Sequence, residues 1–514
     1  MSGTGQPRAR RRGARARGAE APAREVNYRA LRNPFPVMKA FSDDRIEAIH
    51  EAALSVLEDD GIMVLLPEAR AIYRAAGAQV DEGTQIVRIG REIVAAALAT
   101  APASINLRGA VPERDVLLEL GRLVFQPGGG APHATDLARG RRPGLGRDFR
   151  ELVQISQHFD AFQMISSLVE PQDIEPHLRH YFTIEAKLTL SDKAPFVYAR
   201  GTPQALDSFE MLRDFRGLSD DAFRAEPWSY TIINTNSPRA LDIPMAQGLI
   251  DFARHGQLCI VTPFTLMGAM APITVAGAMV LSHAEALAAI TLTQLSRPGA
   301  PVLYGTFTSN VDMKSGSPAF GTPEQFTASL AAGQLARHIG LPFRNASGSA
   351  ANIADAQAAN ENQFALWGNL LSGTTVIIHA AGWLEGGLSL SYEKLITDME
   401  VLQMVAELCT ATSANDADLA RDAIAEIGAG GHFFGCDHTM ARYQTQFYTP
   451  LVADWSNYGR WQDQGGVTAS ERATGVWQGI VAADKRPATD PARVEALHEF
   501  IARRTAEGGA APES

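Results

Sequence analysis

Residues 342–383 read PFRNASGSAANIADAQAANENQFALWGNLLSGTTVIIHAAGW and hold most of the side chains that could do chemistry. Asn345 closes one apolar run and His379 closes another, rich in β-branched residues. Gln357 and Glu361 lie four apart, so they share one face of a helix. Trp383 follows, and Phe264, Tyr304 and Phe307 end or follow apolar runs earlier in the chain. Electron-rich ring faces attract a quaternary ammonium, so four such aromatics could form a box for that group. Core packing is the commoner use of aromatics. Likewise, Gln357 and Glu361 could form a solvated helix face, and His379 a core histidine with its N–H satisfied. His432 and His438 are six apart and match no zinc motif, so packing or hydrogen bonding is the favoured reading for them. No cluster of acids and histidines suggests a catalytic metal.

The elements that must position these residues alternate. Short apolar runs at 123–125, 163–169, 195–199, 230–234, 258–262, 301–305, 341–345 and 374–379 are mostly separated by helix-patterned segments. Eight such units predict an α/β fold, a (β/α)8 TIM-like barrel over 111–383. Its site would lie where strands give way to loops. A doubly wound open sheet is the alternative, but no GxGxxG follows the first strand and no P-loop is found. Residues 26–110 read as a small N-terminal α+β subdomain, and 384–505 as a C-terminal helical layer. Residues 1–25 and 506–514 read as disordered tails.

The chain has 514 residues, 46% of them hydrophobic, enough for a large core, and a net charge of −11. That charge argues against nucleic acid as a partner of the whole chain. The N-terminal segment is the exception: Arg8, Arg10, Arg11, Arg12, Arg15, Arg17 and Arg24 sit among Ala, Gly and Pro, with no apolar run of the kind a secretory signal needs. Cys259, Cys409 and Cys436 form no CxxC pair, which fits a reducing, cytoplasmic setting. No uninterrupted apolar stretch is long enough to predict a membrane span. Size and acidity are compatible with a homo-oligomer.

Several segments, in order along the chain, resemble the trimethylamine methyltransferase family of corrinoid-dependent enzymes. They are NSPRALD at 236–242, APITVAGAMVLSHAEALA at 271–288, RPGAPVLYG at 297–305 and GLPFRN at 340–345. DAQAANE at 355–361, GGLSLSYEKLITDMEV at 386–401, GAGGHFFGCDHT at 428–439 and ERA at 471–473 continue the series. The resemblance implies a (β/α)8 barrel that moves a methyl group from a methylamine to the cobalt of a separate corrinoid protein. Archaeal members acting on trimethylamine carry pyrrolysine in the funnel. This chain shows only ordinary residues, and the region around Ser349-Ala350-Ala351-Asn352 departs from the Asp, Ser and Lys of many relatives.

Resemblance to pyrrolysine-free members acting on glycine betaine implies a quaternary amine donor, which leaves as a neutral amine without prior activation. Polar contacts would come from His379, Gln357, Glu361 and Asn345, and the aromatic box from Phe264, Tyr304 and Trp383. The chain would bind no cofactor alone, since it lacks the Asp-x-His-x-x-Gly corrinoid signature; the cobalamin would arrive on the partner. Direct transfer to tetrahydrofolate and a non-catalytic barrel that binds a small cation are the alternatives.

Overall fold

The computed structural model describes residues 27–513. The arginine-rich segment expected at 1–25 lies outside the described residues. The fold is α/β. Its centre holds eight short strands: β1 Arg122–Phe125, β2 Met164–Ile165, β3 Ala194–Pro195, β4 Tyr230–Ile233, β5 Leu258–Val261, β6 Val302–Gly305, β7 Phe343–Ala346 and β8 Val376–Ile378. Each falls within or overlaps one of the eight apolar runs. Parallel pairing runs from β4 through β5, β6, β7 and β8 to β1. β2 pairs with β3, also in parallel, and single parallel bridges join Phe196 to Tyr230 and Phe125 to Phe162.

These strands are apolar on both faces, as parallel strands covered by helices must be. Val124, Met164, Tyr230, Leu258, Ile260, Leu303 and Val376 pack together on one face. A hairpin of Ser104–Leu107 and Val116–Glu119 adds Ile105, Leu107, Val116 and Leu118 to the same cluster. Cys259, Val261, Val302, Tyr304 and Phe343 point the other way and pack with helix residues such as Leu249, Leu287 and Leu335. Which face a residue takes follows from the two-residue strand repeat, and this decides which candidates reach the site.

Residues 26–110 do not build a core of their own. The helices Asp43–Ser55, Pro67–Ala75 and Arg91–Thr100 contribute Ile46, Ile49, Tyr73 and Val94 to the cluster that holds Leu249, Leu287 and Tyr304. Their small sheet also takes in Ala240–Leu241, from beyond β4. The helix Val275–Ser296 is the one described helix long and apolar enough to cross a membrane; most of it is buried against the other helices. Beyond β8 the chain forms the helices Tyr392–Leu408, Ala469–Ala483 and Pro491–Ala506. Thr410–Thr449 forms a separate compact unit with three short helices.

Residues 507–513, expected as a loose tail, are tied down. Ala510 N donates to His177 O at 3.0 Å, Glu513 N donates to Arg200 O at 3.1 Å, and Gln204 Nε2 donates to Ala510 O at 2.8 Å. Paired backbone groups hold a polar terminus that composition alone marks as free.

Candidate functional site

A second tier of strands sits beyond the carboxyl ends of the first. Phe264–Met267 runs parallel to Phe307–Val311, Leu168–Val169 pairs with Gly129–Ala131, and Trp383–Leu384 pairs with Ser389–Ser391. Between the tiers lies a cavity of about 400 Å³. Its floor comes from strand ends: Ile232 on β4 and Asn234 just after it, Arg344 on β7, and Ile378 and His379 at the end of β8. Phe264, Phe307 and Trp383 line it, as do Phe196 and Tyr198, while Gly129, Gly130, Gly386 and Gly387 bring backbone close.

The first three rings form one packed cluster. Phe264 and Phe307 have centroids 5.0 Å apart, and Phe307 and Trp383 5.7 Å apart. Phe320 supports both, stacked on Phe307 at 5.2 Å and edge-on to Trp383 at 5.2 Å. Trp383 is 5% exposed, and a Cβ at either Gly348 (φ +118°) or Gly387 (φ +107°) would overlap its ring. These two glycines are therefore required both by the backbone angle and by the indole.

His379 stacks on Trp383 at 4.3 Å with the planes 14° apart. It holds φ of +54°, a costly angle for a residue with a side chain. Its Nδ1 accepts from Gly129 N–H at 3.3 Å. Burial, with the Arg344 charge added, holds the ring well below the usual histidine range, so it is neutral and carries its proton on Nε2. Arg344 is 2% exposed, and its guanidinium lies 5.7 Å from the centroid of the Phe307 ring. Nη1 donates to Thr306 O at 3.2 Å, while Nε meets no acceptor. Burial pushes it down to about 9, with Tyr230 acting against that; it stays charged at neutral pH.

At the other wall, Tyr198 donates to Glu170 Oε2 at 3.3 Å, with the Arg200 guanidinium 4.3 Å from its ring centroid. Glu170 is already paired with Arg200 at 2.6 Å and Arg179 at 2.7 Å. Burial raises its pKa, but the two arginines outweigh that and hold it below the usual range. Lys187 lies behind the wall, donating to Phe196 O at 2.8 Å; burial pushes it down to about 7.

Of the candidates read from sequence, His379, Phe264 and Trp383 line the cavity together. Tyr304 does not. It lies on the helix-facing side of β6, fully buried, with its hydroxyl 3.0 Å from His283 Nδ1. Asn345 pairs in register with Ile377, on the helix side, while its neighbours Arg344 and Ala346 pair with Val376 and Ile378 on the cavity side. One residue of register separates Arg344 from Asn345, and the charged residue within the run PFRN was the signal missed. Phe196 and Tyr198 carried a similar signal in their alternation after β3.

Gln357 and Glu361 also stay outside. The helix Ala356–Ser372 is capped by Asp355, which accepts from Gln357 N and Ala358 N, and ends at Gly373 in the left-handed conformation. Its first turns hold loops. Glu361 Oε2 accepts from Ser349 Oγ at 2.6 Å, Ala350 N at 2.9 Å and Ala351 N at 3.1 Å, and Gln357 Nε2 donates to Oε1 at 2.7 Å. This clamp seats Ala350 against the aromatic cluster. Asn362, absent from the sequence candidates, joins two site loops: Oδ1 accepts from Gly348 N at 2.9 Å and Nδ2 donates to Ala380 O at 3.1 Å.

Other motif residues act in the same way. Glu285 accepts from Thr235 Oγ1, Ser237 Oγ and Arg239 N, so the segment 271–288 fixes the loop 236–242. Asp398, paired with Lys394, accepts from Gly382 N, one residue before Trp383. Among the described residues no group of three or more His, Cys, Asp or Glu side chains converges as metal ligands do.

The fold and cavity define the class: an α/β protein with a cavity at the carboxyl ends of parallel strands. The model of the trimethylamine methyltransferase family matches residues 8–509, and the chain belongs to that family. A glycine betaine methyltransferase of Desulfitobacterium hafniense (strain Y51) is 33% identical over 477 residues, 92% of this chain and 99% of the relative. A trimethylamine methyltransferase of D. hafniense (strain DSM 10664 / DCB-2) is 32% identical, over 85% of this chain and 88% of the relative. The crystal structure of the Methanosarcina barkeri monomethylamine methyltransferase covers 89% of this chain and 97% of its own, with 10% identity and a TM-score of 0.46.

Proposed function

We propose that the chain moves a methyl group from a small quaternary amine of the glycine betaine type to Co(I) of a corrinoid carried by a separate protein. The observation that carries this is the character of the cavity: three packed rings with Phe196 and Tyr198 across from them, and a neutral imidazole, with no nucleophile–base pair in the lining. The glycine betaine methyltransferase matched over nearly its full length supports the choice of donor. We also read the eight parallel strands as a closed (β/α)8 barrel, with the cavity in its funnel. The run of pairings from β4 to β1, with the β2–β3 pair and the bridges at Phe196 and Phe125, supports closure.

The step is an in-line displacement. The electron pair of the cobalt acceptor forms a bond to one N-methyl carbon, the C–N bond breaks, and its pair stays on nitrogen as a neutral tertiary amine. No proton moves, so no general base is needed. Attraction between the ring faces and the ammonium is strongest before transfer, because the positive charge disperses as the C–N bond breaks. The rings therefore bind and exclude water, and acceleration comes from holding one methyl towards the acceptor. The acceptor protein docks over the mouth of the cavity, and the cobalamin belongs to it.

The test mixes purified protein with cob(I)alamin and, singly, quaternary amines, trimethylamine and sulfonium donors, following methylcobalamin by absorbance. A quaternary amine is expected to react and trimethylamine to be inert. Turnover of trimethylamine alone overturns the donor assignment. A bound donor without transfer, in arms with corrinoid and with tetrahydrofolate, would make the chain a cation-binding barrel.

A further inference from the structure

We infer that Arg344, together with the Nε2–H of His379, binds a carboxylate on the methyl donor, so that the cavity selects zwitterions over simple quaternary cations. This rests on the reading that the cavity takes a quaternary amine, and adds which one it can take.

The argument starts from a charge without a partner. Arg344 has five N–H donors, yet among the described residues it makes one hydrogen bond, to Thr306 O, and its Nε meets no acceptor. A guanidinium kept only for structure is satisfied by carbonyls or a carboxylate, because burying an unpaired charge is costly. No carboxylate among the described residues is within ion-pair range of it. Glu170, which accepts from the lining residue Tyr198, is already held by Arg179 and Arg200. Behind that wall stands another basic group, Lys187.

Position makes the charge selective. β7 and β8 are neighbours, so Arg344 and His379 come from adjacent strands onto one floor. Gly129 N–H occupies His379 Nδ1, which leaves Nε2–H as a second donor. Arg344 sits over one side of the Phe307 ring, while Phe264 and Trp383 pack around the same ring. The N–H donors and the ring cluster therefore lie side by side, with His379 stacked on Trp383 and Arg344 over Phe307. A bare cation would meet the guanidinium uncompensated. A betaine with its carboxylate one or a few carbons from nitrogen meets both kinds of group, the carboxylate accepting from the Arg344 fork.

Calorimetric titration of the full chain tests this with four ligands: glycine betaine, choline, tetramethylammonium and 3,3-dimethylbutyrate, the last being betaine with carbon in place of nitrogen. Wild type is expected to bind glycine betaine at least tenfold more tightly than choline or tetramethylammonium. Arg344→Met is expected to lose at least tenfold for glycine betaine and dimethylbutyrate, and to hold or improve choline binding. His379→Asn, which tolerates the left-handed backbone, is expected to weaken the two carboxylates by a smaller factor.

Equal binding of choline and betaine by wild type overturns the inference, and needs no variant to fold. A uniform loss for all four ligands in Arg344→Met overturns it also, as the mark of a structural role. Tight choline binding with methyl transfer from choline would sink this inference and leave the methyltransferase reading standing. No binding of any ligand would sink both.

Discussion

Replacing Trp383 by Leu separates a ring that binds charge from a ring that only fills space. Trp383 is buried, stacked on His379 at 4.3 Å, and in contact with Phe307 and Phe320 at 5.7 and 5.2 Å. Truncating a buried Trp to Ala costs about 3–5 kcal/mol of stability; Leu refills part of the volume, so a loss of about 2–3 kcal/mol is expected. Ligand binding carries a separate effect. A desolvated cation over Trp gains about 2 kcal/mol, which is about a 30-fold change in Kd. Glycine betaine and 3,3-dimethylbutyrate have the same shape, and only the first carries a positive charge. Calorimetry on the folded variant should show glycine betaine weakened about 30-fold more than dimethylbutyrate. Equal weakening of the two would mean that Trp383 contributes packing alone. No change for either would remove it from the binding site.

Tyr304→Phe should leave ligand affinity and methyl transfer unchanged, because the ring faces the helices, and should cost about 1 kcal/mol through the lost bond to His283; a denaturant melt beside calorimetry checks both. Glu361→Ala removes the acceptor of two backbone amides and the Ser349 hydroxyl. It should speed hydrogen exchange at 349–351 and destabilise the chain by about 2–3 kcal/mol; unaltered exchange there would refute the clamp. His50, His158, His180, His283 and His379 are all held below 6.5 by burial. Their stabilising contribution is thus present above pH 6.5 and lost as pH falls below it, at about 1.4 kcal/mol per pH unit for each ring that stays neutral when folded. Urea unfolding of His283→Asn from pH 7.5 to 5 should therefore be flatter than wild type by about that slope; identical slopes would contradict it.

Much of the scaffold was legible because parallel strands covered on both sides must be apolar throughout, and all eight runs hold strands. The helix Ala356–Ser372 was legible for a similar reason, bounded by Asp355 and Gly373. Direction was harder. Tyr304 and Arg344 are each a residue from a position with the opposite fate, and a run buried on both faces has no polar side to mark its register. Gln357 and Glu361 were found as a pair, but nothing in their spacing tells that they grip the loop 349–351 rather than a ligand. The second tier, including Phe264–Met267 and Phe307–Val311, depends on contacts between loops distant in sequence. The segment 507–513 has the composition of a free tail, and it is ordered by carbonyls of His177 and Arg200 that only the fold brings near.

The central claim is that a methyl group leaves a quaternary nitrogen for cobalt. The most direct measurement supplies glycine betaine labelled with carbon-13 in its N-methyl groups, with cob(I)alamin or a corrinoid protein. Mass spectrometry then counts labelled methyl on cobalt and dimethylglycine released. The account predicts one of each per turnover. Dimethylglycine without methylated cobalt, or glycine betaine recovered intact from a bound complex, would contradict it.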